Sequence, residues 1–121
     1  MELNDFNSRP EVAILMVCCA WPSADSALEA AGAAVAAGHA ACCQVGAPVR
    51  SIYQWEGKLE QAEEVILTCK TTVAAWPALC AFLKERHPYQ VPEIIAWPVT
   101  HGLPAYLEWV QANTCGRPAG A

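Results

Sequence analysis

The period of apolar positions changes several times along the chain, and each change marks an element. Val12 to Cys19 is a continuous apolar run, as expected for a strand buried on both faces. Trp21-Pro22 ends it. A helix follows, capped by Ser23 or Ser26, with Ser26-Ala27-Leu28-Glu29 in capping-box form. It runs to about Ala37, stops at Gly38 and is almost pure alanine, the residue of highest helix propensity. Leu28, Ala31 and Val35 share its apolar face. Ala41 to Trp55 is β-like, and Gly46-Ala47-Pro48 within it predicts a bulge or bend. Trp55-Glu56-Gly57-Lys58 forms a turn, and Glu63 to Thr71 returns with strict alternation. Val65, Leu67 and Cys69 fall on one face, and Glu64, Ile66, Thr68 and Lys70 on the other.

Trp76-Pro77 opens a second helix, with proline tolerated in its first turn. Leu79, Phe82 and Leu83 form its buried side, and Lys84 and Arg86 complement its C-terminal dipole. Pro88 pushes His87 out of the α region and stops the helix. Val91 to Val99 reads as a fourth strand and Pro104 to Asn113 as a short third helix. The domain spans 11–113, with a disordered arm over 1–10 and a flexible tail over 114–121. The order β-α-β-β-α-β, with a C-terminal helix, predicts an α+β, ferredoxin-like antiparallel sheet carrying its helices on one face. The other face is left for the third helix or a partner to cover.

Composition sharpens this picture. The apolar fraction of 55%, much of it alanine, comes with five tryptophans in 121 residues. That is more ring volume than a small core takes up easily, so a homo-oligomer is expected. A net charge of −5 and scattered Lys and Arg argue against nucleic acid or an anionic membrane as partner. The first ten residues lack a signal-peptide core, and the longest apolar run falls well short of the roughly 18 residues a membrane span needs. A soluble, cytoplasmic protein is expected. The seven cysteines include no Cys-x-x-Cys pair, and adjacent ones point to opposite faces of a strand. Most of them read as reduced, buried small hydrophobes.

Ligand-type side chains concentrate in HPYQVPEIIAWPVTHG, residues 87–102, where His87 and Glu93 flank an apolar strand. This segment, together with Ala41-Cys42, Ser51 to Lys58 (SIYQWEGK) and Lys70-Thr71, resembles the CutA family of divalent-cation tolerance proteins over roughly residues 12–113. The resemblance implies a ferredoxin-like subunit in a tight homotrimer, with long hairpins crossing neighbouring subunits. It implies a role in tolerance of copper or another divalent cation, and no enzymatic reaction. The copper ligands proposed for the family map here to Cys19 and His87. Thiolate plus imidazole suits copper or zinc, and Glu93 can complete the set. Arg86 stands where some members carry a second histidine. Tyr53, Trp55 and Trp109 are expected to anchor the subunit interface. The alternative is a PII-like regulatory trimer that binds a small ligand or a protein at clefts between subunits. Cys19, His87 and Glu93 also have the residue types of a nucleophilic triad, though no flanking motif accompanies them.

Overall fold

A computed structural model describes residues 13–115. The elements are β1 (Ile14–Trp21), α1 (Ala24–Ala36), β2 (Cys42–Trp55), β3 (Lys58–Thr72), α2 (Trp76–Arg86), β4 (Ile94–Pro98) and α3 (Pro104–Ala112). The four strands make one antiparallel sheet in the order β2-β3-β1-β4. Each β-α-β half is therefore split by a strand of the other half. Residues 1–10, expected to be an arm, lie outside the described residues.

Alternation sets which residues meet the helices. Val17, Cys19 and Trp21 of β1 share the core with Val65, Leu67 and Cys69 of β3 and with Leu79 and Leu83 of α2. From α1 the core takes Ala27, Ala30, Ala31 and Ala34, an i, i+3, i+4, i+7 stripe. The expected apolar face of α1 is thus corrected. Ala31 is buried, but Leu28 is 56% exposed and Val35 is exposed as well. Small side chains let the helix approach the sheet closely, so the bulky pair is turned outward. Ser23, rather than Ser26, is the N-cap, and its side chain accepts the Ser26 N–H.

The bulge falls where the sequence places it. Val45 faces Leu67 and Pro48 faces Val65, so Gly46 and Ala47 oppose the single residue Ile66. Beyond this point β1 ends and β2–β3 continues alone as a two-stranded arm, from Val49–Glu64 to Trp55–Lys58. At about 3.3 Å per residue it projects on the order of 20 Å. Glu56 and Gly57 both take positive φ at its tip, the pattern of a type I′ turn. β3 begins at Lys58, earlier than its alternation suggests, because Lys58 to Ala62 lie in the arm and never meet the core. β4 is shorter than Val91 to Val99. Pro92 has no N–H to give a ladder, although the Val99 N–H still bonds the Ile14 carbonyl.

α3 packs Leu107 and Val110 on Ile14, Ala41 and Val99, which covers one end of the sheet face opposite α1 and α2. On that same face Ile95 and Trp97 stay open. Thr114 and Cys115, assigned by pattern to the tail, are held. The Thr114 hydroxyl donates to the Val110 carbonyl, and the Cys115 N–H bonds the Gly38 carbonyl. Gly38 has φ +77°, and a Cβ there would strike the Cys115 side chain. All seven cysteines are free, but only Cys19 and Cys69 are fully buried, fewer than expected.

The His87 network and a candidate ligand cleft

Pro88 holds His87 in extended backbone just past α2, where its ring turns into the protein and is only 8% exposed. Nε2 lies 2.6 Å from the Ala20 carbonyl, and Nδ1 accepts the Tyr89 N–H at 3.2 Å. A carbonyl only accepts and a backbone N–H only donates, so the hydrogen is on Nε2 and the lone pair on Nδ1. The ring lies between Trp21 and Tyr89, with centroids 4.3 and 4.7 Å away. His87 therefore fixes Tyr89 by both a hydrogen bond and ring contact.

The three expected ligands all abut residues 18–20 of β1, but they do not converge. Cys19 faces the helices and is fully buried. Burial pushes its thiol up to about 12, and the charges of Cys18 and Glu93 add to the rise. The indole N–H of Trp21 is buried and has no hydrogen-bond partner among the described residues. Glu93 belongs to the opposite face, where its Oε2 accepts from Cys18 Sγ at 3.8 Å. Burial, then the Glu93 charge, raises the Cys18 thiol. Among the described residues no three His, Cys, Asp or Glu side chains form a metal-binding group. Both nitrogens of His87 are already hydrogen bonded, and Cys19 holds its proton against the deprotonation that thiolate ligation needs. As they stand in one chain, these residues do not fit a preformed copper centre.

A different constellation does form. A cleft of about 650 Å³ opens between the β2–β3 arm and residues 89–93, with Ala20 among its walls. Tyr53 and Trp55 line it from the arm, and Tyr89 and Glu93 line it from the facing segment. Glu64 also lines it and is only 6% exposed. Glu64 is one of four acids, with Glu56, Glu60 and Glu63, in the hairpin sequence. Its three companions are exposed. Its place on the open-face side of β3, just where the arm leaves the sheet, is the signal that sets it apart. Tyr89 and the Glu64 carboxylate line the cleft together. Burial first, then the nearby Glu64 carboxylate, push Tyr89 up to about 12, with Tyr53 contributing. No lysine or arginine lines the cleft.

Fold and site together define a small α+β domain with a projecting hairpin and an aromatic, acidic cleft at the hairpin's base. Residues 15–113 match the family described as CutA1 divalent ion tolerance protein. The chain belongs to this family. It is 44% identical to the divalent-cation tolerance protein CutA of Escherichia coli O139:H28 over 101 residues, which cover 84% of this chain and 90% of that protein. CutA1 from Shewanella sp. SIB1 superposes with a TM-score of 0.82 at 40% identity, covering 88% of this chain and 97% of that one. The divalent cation tolerance protein from Thermus thermophilus gives a TM-score of 0.82 at 38% identity, covering 84% and 99%.

Proposed function

We propose that this chain acts in divalent-cation tolerance as a homotrimer of ferredoxin-like subunits, with copper or another divalent cation as the ion concerned. The observation that carries the assembly is the apolar surface one chain leaves uncovered. Ile52 and Leu59 on the arm, Ile95 and Trp97 on the open sheet face, and Trp109 on α3 are all exposed. Tyr53, Trp55 and Trp109, the expected interface anchors, lie outside both core clusters. Large aromatic and aliphatic groups exposed on four separate elements are the composition of an interface core rather than of a free surface.

The role is non-enzymatic in this reading. A nucleophilic cysteine needs a depressed pKa, and Cys19 is shifted the other way. A cytoplasmic location agrees with seven free cysteines, and no described helix is long and apolar enough to cross a membrane.

Metal engagement at Cys19, His87 and Glu93 carries a structural cost. His87 would give up the Ala20 carbonyl or the Tyr89 N–H, and Cys19 would lose a well-held proton. Calorimetric titration with copper of the wild type, Cys19→Ala and His87→Ala tests it. Loss of affinity in both variants supports this ligand set. Unchanged affinity in both removes it and leaves the tolerance role to the assembled trimer.

A further inference from the structure

We propose that the cleft at the base of the β2–β3 arm binds a small organic cation, a protonated or quaternary amine held between aromatic rings and carboxylates. This rests on the trimer reading in one respect, namely that a neighbouring subunit closes the outer side where Tyr53 and Trp55 keep exposed surface.

Three features select this ligand class. The first is charge. Glu64 is more than nine-tenths buried, lines the cleft and has no cationic partner among the described residues. Its carboxylate lines the cleft without a countercharge, and an incoming cation supplies one. Glu93 adds a second carboxylate at the opening, and no basic side chain of the lining competes. The second is the wall. Tyr53, Trp55 and Tyr89 supply three electron-rich rings to the lining, and weakly hydrated ammonium groups gain most from such contacts. A small, strongly hydrated metal ion gains little from rings and asks for several oxygen donors at short range. No group of three ligand-type side chains exists here among the described residues. The third is pre-organisation. His87 holds the Tyr89 backbone at 3.2 Å and its ring at 4.7 Å, so one wall is fixed before any ligand arrives.

The test is calorimetric titration of the full chain with choline chloride and with its uncharged isostere, in which a tert-butyl group replaces the ammonium. Saturable binding of choline and none of the isostere is expected. Glu64→Gln and Trp55→Leu should each weaken choline by about tenfold or more, the scale of one lost desolvated cation contact. Glu93→Gln, at an exposed position, weakens it in the same direction and serves if the Glu64 variant fails to fold. Equal binding of both compounds, no choline binding by the folded chain, or unchanged affinity in the variants overturns the inference. So does displacement of choline by magnesium chloride at matched ionic strength, which would mark a site for metal ions. Light scattering on the same samples separates the two claims. A trimer that ignores choline defeats this inference alone, and a monomer that binds it defeats the trimer alone.

Discussion

His87 shows how one side chain joins a local motif to the whole sheet. The break it makes with Pro88 is local and legible in the sequence, whereas its bond to the Ala20 carbonyl spans 67 positions and is set only by folding. The same limit applies to Cys19 and Glu93. Each has a ligand's chemistry, yet strand alternation sends them to opposite faces and gives Glu93 to Cys18 instead. Burial has a pH consequence. Cys19 and Tyr89 hold their protons to about 12 in the folded chain, against ordinary values of 9.0 and 10.0. The unfolded chain releases those protons first. These groups therefore leave stability unchanged below about pH 9 and reduce it progressively up to about pH 12. Urea midpoints should fall across that window, less steeply in Cys19→Ala. A midpoint that is flat or rising there in the wild type contradicts the burial of both groups.

At the scale of elements, the turns and caps were the readable part. Gly38, Gly57, Pro77, Pro88 and the Gly46-Ala47-Pro48 bulge each act through backbone geometry that is local to them. The buried side of α1 was not readable. Hydrophobicity favours Leu28 and Val35, but the close approach of α1 to the sheet admits only the alanine stripe. This difference can be measured. Ala30→Leu should overpack the helix–sheet contact and cost about 1–3 kcal/mol in urea unfolding. Leu28→Ala should stay within about 0.5 kcal/mol when folding is measured free of association, as for an ordinary surface change. Reversed magnitudes would mean that α1 is rotated from the orientation described. The tip of the arm gives a second handle. Glu56 sits at φ 51°, where asparagine is better tolerated. Glu56→Asn should therefore stabilise the hairpin slightly, read as a small rise in Tm, and a fall would argue against the type I′ turn.

For the whole molecule, the α+β class and the single sheet follow from element order, and the surplus of tryptophan already pointed to association. Which tryptophans are surplus was hidden. Trp21 fills the core, whereas Trp55, Trp97 and Trp109 are each more than 40% exposed in one chain. They lie on the arm, the open sheet face and α3, so no local signal links them before the fold brings them to one surface problem. The cleft was hidden for the same reason, since its walls come from residues as far apart as Ala20 and Glu93. The most direct measurement is multi-angle light scattering on the full chain at micromolar concentration. A mass three times that of the 13.0 kDa chain is expected, reduced when Trp97→Glu places a charge on the open face. A monomer mass for the folded wild type would contradict it.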